Sequence, residues 1–174
     1  MKKTFLISFF ALTSLLNEVY ASNIGVLDVD KIIQESSAVI DIQKKVDSKK
    51  TAYESDINKK QSILEADQKK LEDKRITLSK DAFEKEVKKF EAKVEDLKTY
   101  VDRKQNSLKK ASIDAMSKVN DKVKIIVSEI AKDKNLDAIV PASQTLYFKD
   151  ELDITAEVLA TLNKKITKVD VKFE

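Results

Sequence analysis

The side chains of this sequence that could do chemistry are lysines, arginines and carboxylates. Lysine and arginine contribute 33 of the 174 residues and aspartate and glutamate 30, whereas histidine and cysteine are absent. Histidine is the commonest general base and zinc ligand, and cysteine supplies the disulfides of small exported domains. We also find no nucleophile elbow, no glycine-rich phosphate loop and no cluster with metal-ligand spacing. The sequence therefore predicts a protein that is not an enzyme and has no cofactor or metal site.

The basic residues are densest near the middle of the chain. Five of them form the tip cluster: Lys69, Lys70, Lys74, Arg75 and Lys80. A surface on which basic side chains outnumber acidic ones can attract acidic proteins or anionic lipid headgroups. The same lysines can instead belong to an ordinary solvated helix with intrahelical pairs, such as Glu84 with Lys88. The sequence is compatible with both an attracting basic surface and an ordinary solvated helix.

The first residues have the pattern of a secretory signal peptide. Lys2 and Lys3 precede an apolar run over residues 5–16, and Val19 to Ala21 supply the cleavage positions, which predicts cleavage before Ser22. The run is shorter than the roughly 20 residues of a membrane span. Without residues 1–21 the chain has 31 basic and 29 acidic residues, which with export argues against a nucleic-acid partner. We expect a periplasmic protein.

The single glycine and the single proline, Gly25 and Pro141, enclose a long region that contains neither residue, as is typical of long helices. Apolar residues recur there at heptad spacing, which predicts a coiled coil. In the first half of this region they are Val39, Val46 and Tyr53, then Ile57, Leu64, Leu71 and Leu78. In the second half they are Val87, Val94, Val101 and Leu108 at one core position, and Phe83, Phe90 and Leu97 at the other. Polar residues take the place of core residues at Lys60, Asp67, Lys74 and Lys104. We expect them to weaken the packing and let the arm bend.

The heptad register breaks over residues 76–81. Asp81 and Glu84 have the spacing of a capping box, and Ser79 is a competing cap. A tight turn near Ser79 would convert residues 37–135 into an antiparallel helical hairpin, whereas one continuous rod is the alternative.

The two ends of the chain have strand patterns. We predict strands at residues 24–29, 137–140 and 145–148, a short helical turn capped by Asp30, and a closing helix capped by Asp153 or Thr155. Residues 169–173 alternate between apolar and polar and predict a further strand or a frayed end. These segments, residues 22–36 and 136–174, would form a small β-rich body. Its strand edges need covering, which favours assembly with copies of the same chain. The candidate assembly residues are Ile24, Val26, Ile139, Leu146 and Phe148.

Three segments carry a resemblance to a known family. They are IGVLDVDKII at residues 24–33, LDAIVPASQTLYF at 136–148 and DITAEVLATLNK at 153–164. In this order around a charged hairpin, they resemble the Skp/OmpH family of periplasmic chaperones. The predicted fold is therefore α+β, with a long antiparallel coiled-coil arm projecting from a small β body that is shared between the subunits of a trimer.

The resemblance implies a homotrimer whose three arms enclose a cavity. Such proteins hold unfolded outer-membrane β-barrel proteins without ATP, and the tip cluster would add anionic lipid or lipopolysaccharide as a partner. A structural or tethering coiled-coil protein of the envelope is the alternative, because it needs the same heptads but no cavity. Only the chaperone must suppress the aggregation of an unfolded client.

Overall fold

The structure is a computed structural model that describes residues 22–174. Residues 1–21, for which the sequence predicts a signal peptide, lie outside the described residues. In chain order the elements are β1 (Ile24–Leu27), α1 (Val29–Glu35), α2 (Ser37–Thr77), α3 (Lys80–Asp133), β2 (Ala138–Pro141), two short 3-10 turns (Ala142–Gln144 and Asp150–Leu152) and α4 (Thr155–Lys165). The predicted α+β fold with a helical hairpin is confirmed, whereas its sharing between three chains stays a prediction.

Helices α2 and α3 form the antiparallel hairpin. They contain 41 and 54 residues, so they are about 60 and 80 Å long at 1.5 Å per residue. Only Leu78 and Ser79 separate them, which confirms the predicted turn near Ser79 and excludes the continuous rod. Of the two predicted caps, Ser79 rather than Asp81 occupies the N-cap position of α3, although its side chain makes no cap hydrogen bond.

The apolar core lies at the root of the hairpin, where the arm meets the two ends of the chain. One cluster of buried side chains joins β1, α1, α2, α3, α4 and the residues beyond α4. Its members are Leu27, Ile32, Ala38, Val39, Ile42, Ala115, Val119, Ile126, Ile130, Ile154, Val158, Leu162 and Val169. The body and the arm root therefore share one core.

The outer part of the hairpin has no comparable interior. No residue from 54 to 106 is buried, and the heptad residues of that region are half-buried or exposed. Val94, which the heptad pattern assigns to the seam, is 44% exposed. Two helices alone cover each other along only a thin strip, so burial ends where α1, α4 and β1 no longer reach.

The sheet consists of two short parallel strands. Ile24 pairs with Ala138 and Leu27 with Pro141, while the Ile154 N–H donates to the Val26 carbonyl on the other side of β1 (2.9 Å). A Cβ on Gly25 would lie 2.8 Å from the end of the Leu136 side chain, so a larger residue here would force that side chain to move. The cap of α1 is Asp28, which accepts from the Lys31 N–H, and not Asp30 as predicted.

Two other predictions for the ends of the chain need correction. The predicted strand at residues 145–148 is wrong for the single chain, in which this segment joins no ladder. Leu146 is fully exposed and Tyr147 is 80% exposed, because a strand forms only where a partner takes its hydrogen bonds. Residues 169–173 form neither a strand nor a frayed end, since Val169 is buried in the root core.

Candidate functional site

The polar residues at predicted core positions contact the opposite helix of the hairpin. Asp67 accepts a hydrogen bond from Lys93 (2.6 Å), and Lys74 contacts Glu86. Lys60 lies 4.8 Å from the centre of the Tyr100 ring. These residues therefore link the two helices across the seam.

Lys104 is the centre of a column of alternating cations and aromatic rings. Its ammonium group lies 4.8 Å from the Tyr53 ring and 5.5 Å from the Tyr100 ring. Lys49 lies on Tyr53 as well, at 5.0 Å, and reaches Phe173 at 5.8 Å. Each such contact contributes about 0.5–1 kcal/mol at an exposed site. The column continues the cohesion of the hairpin beyond Ile42, the last buried residue that α2 contributes to the root core.

The structure brings the five predicted tip residues together around the Leu78–Ser79 turn. Four lie in the last turns of α2 and Lys80 begins α3, and all five are exposed. Lys74 is held by Glu86, and Lys70 lies 4.0 Å from Asp67. Lys69, Arg75 and Lys80 take part in no ion pair within the described part of the chain. The cluster thus offers three uncommitted positive charges rather than five.

Sequence reasoning missed the apolar residue at the centre of this cluster. Ile76 is 90% exposed, and Leu78 beside it is 36% exposed. The sequence did contain a sign of this exposure, because Ile76 falls outside the heptad positions of α2. The tip of the hairpin therefore exposes a small apolar patch, Ile76 and Leu78, among lysines and carboxylates.

The ion pairs of the outer arm depend on ionised carboxylates. Hydrogen bonds from Lys74 and Lys89 lower the pKa of Glu86 from 4.5 to about 2. The Lys93 ammonium group lowers the pKa of Asp67 in the same way. Both carboxylates are on the seam side of their helices, where they replace the apolar contacts of an ordinary coiled coil.

The predicted assembly residues of the body divide into two groups. Val26 is buried in the chain's own core, and Ile139 and Phe148 are half-buried. Ile24 and Leu146 are exposed, which suits contact with another chain. Sequence reasoning did not select four other exposed apolar side chains of the body: Val29, Ile33, Tyr147 and Leu152.

The part of the chain that the structure describes has no cluster of metal-ligating side chains, and no helix in it is long and apolar enough to cross a membrane.

Comparison with known proteins agrees with this architecture. The sequence model of the family described as "Outer membrane protein (OmpH-like)" matches residues 23–162. An uncharacterized protein of Aquifex aeolicus (strain VF5) is 33% identical over 157 residues, which are 90% of this chain and 96% of that protein. The chain therefore belongs to the OmpH-like family, and the resemblance of its terminal segments is confirmed.

The fold is also similar to a solved structure. The crystal structure of an OmpH-like protein from Caulobacter crescentus CB15, proposed to be an outer membrane chaperone, superimposes with a TM-score of 0.81. The match covers 88% of this chain and 91% of that one at 15% identity, so it supports the fold alone.

The depressed pKa of Glu86 generates a prediction about acid stability. The ionised carboxylate stabilises the folded arm fully above pH 4.5, and this contribution is lost as the pH falls towards 2. We expect Glu86→Gln to flatten the dependence of the unfolding free energy on pH across this window, as measured by urea titration of helix circular dichroism. Glu84→Gln removes a carboxylate that has no ion pair among the described residues, and should leave the slope unchanged. Equal slopes for Glu86→Gln and the wild type would contradict the assignment.

Proposed function

We propose that this protein is an ATP-independent periplasmic holdase chaperone that binds unfolded outer-membrane β-barrel proteins and prevents their aggregation before membrane insertion. The observation that carries the proposal is the long arm without buried residues between 54 and 106, set on a body that exposes apolar side chains. An arm without a buried interior offers a long surface, which suits contact with a large partner. Membership of the OmpH-like family and the signal-peptide pattern of residues 1–21 support the same conclusion.

The arm surface suits weak binding at many points. Isolated apolar side chains stand exposed among its charges, at Ile63, Ile76, Val94, Ile113 and Ile125. An unfolded β-barrel chain presents apolar residues at every second position of its future strands. Each contact removes little apolar area from water, so affinity accumulates over many contacts while the charged surface keeps the complex soluble.

The experiment that tests the proposal is dilution of a urea-unfolded outer-membrane β-barrel protein into buffer without nucleotide. Light scattering should fall towards the buffer level as the chaperone approaches a one-to-one ratio of assembled chaperone to client. An equal mass of serum albumin serves as the control for non-specific protection. Aggregation at the rate of the client alone would reject the holdase and favour the tethering protein.

We propose further that three copies assemble through their bodies, with the three arms enclosing the client. The number three comes from the family resemblance. Support in the chain itself comes from β2, which pairs only with β1 among the described residues, and from the exposed Leu146 and Tyr147 after it. Residues 145–148 have strand-forming side chains and no strand partner within residues 22–174, so a neighbouring copy would complete the sheet.

Leu146→Asp should weaken this assembly. The charge would be buried at the contact between chains, which costs several kcal/mol when it has no partner. We expect multi-angle light scattering at micromolar concentration to give the mass of three chains for the wild type and a lower mass for the variant. Ile76→Asp makes the same change at a similarly exposed position of the arm tip and should leave the mass unaltered. Equal masses for all three proteins would place the contact elsewhere.

We also propose that the tip cluster steers acidic client segments, or anionic lipid and lipopolysaccharide, towards the arms. Reversal of its uncommitted charges by Lys69→Glu, Arg75→Glu and Lys80→Glu should slow stopped-flow capture of an acidic unfolded barrel protein at low salt. The difference from the wild type should shrink as salt is added, because exposed charges are screened over about 10 Å at 0.1 M.

A matched control separates steering by the tip from an effect of net charge. Lys44, Lys109 and Lys132 are also exposed and lie far from the tip along the chain. Their replacement by glutamate changes the net charge to the same extent and should slow capture less. Similar rates for both triple variants would reduce the tip cluster to an ordinary solvated surface.

A further inference from the structure

Residues 166–174, here called the strap, lie in an extended course along the root of the hairpin. The side chains alternate between the hairpin and solvent: Val169 is buried, Val171 and Phe173 are half-buried, and Asp170, Lys172 and Glu174 are exposed. Val171 packs against the root core, and Phe173 lies beside Lys49 of α2. The family match ends at residue 162, before the strap begins.

Side chains of both helices bind the backbone of the strap. From α2, Asp41 accepts from the Val169 N–H (3.2 Å) and Lys45 donates to the Val169 carbonyl (2.7 Å). From α3, Lys118 donates to the Asp170 carbonyl (3.0 Å) and Ser107 accepts from the Glu174 N–H (2.9 Å). These hydrogen bonds recognise an extended backbone, whatever its side chains are. The hairpin therefore recognises an extended backbone with alternating apolar and polar side chains, rather than one particular sequence.

The groove that holds the strap continues towards the tip. Next to Glu174 lies a cavity of about 390 Å³ lined by Tyr100, Arg103 and Lys104. Tyr100 and Arg103 also line the following cavity, of about 370 Å³, which extends along α2 to Asp67. An extended segment longer than the strap would meet aromatic, apolar and basic side chains farther along the arm, together with the carboxylates Asp67 and Asp96.

We propose that this groove is a binding site for extended polypeptide segments with alternating apolar and polar residues, and that the strap is its intramolecular competitor. The strands of an unfolded membrane β-barrel have this alternation, so the physiological ligand, but not the groove itself, rests on the function proposed above. The strap shows the binding mode, because it is a segment of this chemistry already seated in the groove.

The two halves of the strap are held with unequal strength. Val169 belongs to the root core, where its removal would disturb the fold. The outer half depends on half-buried Val171 and Phe173, on the hydrogen bond from the Glu174 N–H to Ser107, and on an exposed ion pair between Glu174 and Lys110 (2.7 Å). Exposed ion pairs contribute little to stability, so the outer half can leave the groove while Val169 stays in place. A client segment thus needs to displace only a few residues.

The test uses the full chain and a fluorescent peptide with the sequence of the strap, ITKVDVKFE. The double variant Val171→Asp with Phe173→Asp should free the groove and bind the peptide about tenfold more tightly than the wild type, by fluorescence anisotropy, because two apolar anchors of the competitor are lost. Lys172→Asp changes the net charge equally at an outward-facing position of the strap and should bind like the wild type. Circular dichroism verifies that all variants are folded.

A second variant holds the strap in place. Because the chain contains no cysteine, Ser107→Cys with Glu174→Cys would form one disulfide between α3 and the strap. The oxidised protein should bind the peptide at least several-fold more weakly than the same protein after reduction. A peptide of identical composition with its apolar residues contiguous should bind weakly to every form.

Equal peptide affinity for the released, wild-type and oxidised proteins would overturn the proposal. So would equal binding of the alternating and contiguous peptides. The aggregation assay run on the same proteins keeps this result separate from the holdase function. Protection of the unfolded barrel protein without any difference in peptide binding would reject the strap as a competitor and leave the holdase intact. Competitive peptide binding without protection would support the groove and reject the holdase.

Discussion

Two helices packed side by side can cover only a thin strip of each other, and this limit governs the whole molecule. Where α1, α4, β1 and the strap add further layers, residues such as Ile42, Ile126 and Leu162 are fully buried. Beyond Tyr53 no third layer exists among residues 22–174, so burial stops although the helices continue. The root therefore anchors the arm, whereas the outer arm exposes most of its side chains and buries none.

The outer arm replaces burial with polar contacts across the seam. A lysine at a core position of a two-stranded coiled coil normally costs stability. Here Lys104 stacks on two tyrosines and Asp67 binds Lys93, so the cost is offset without a dry interior. Contacts between exposed charges are individually weak and sensitive to salt. The arm is accordingly held in register by many small interactions.

The features that could be predicted from sequence are those that depend on local pattern. Heptad spacing located both helices, and the register break located the turn at Ser79. The features that were missed depend on distant partners. Residues 145–148 have strand-forming side chains but no strand beside them in the chain, and Asp28 rather than Asp30 caps α1 because Thr155 fixes the backbone there. The positions of the tip lysines were predictable from the sequence. The ion pair between Lys74 and Glu86 was not, because it depends on which turns of α2 and α3 face each other.

Under the function proposed above, the strap and the exposed arm together suggest how a chaperone without an energy source can both hold and release. Binding that relies on backbone hydrogen bonds and alternate apolar contacts accepts many sequences, but it gains little free energy at each position. A client that gains more by closing its own strands in a membrane will leave without any driven step. A competitor attached to the same chain acts at a high effective concentration and takes each vacated position as the client withdraws. The strap suits this role because Val169 is anchored in the root core, whereas the outer half is held by half-buried apolar side chains, one hydrogen bond to Ser107 and an exposed ion pair.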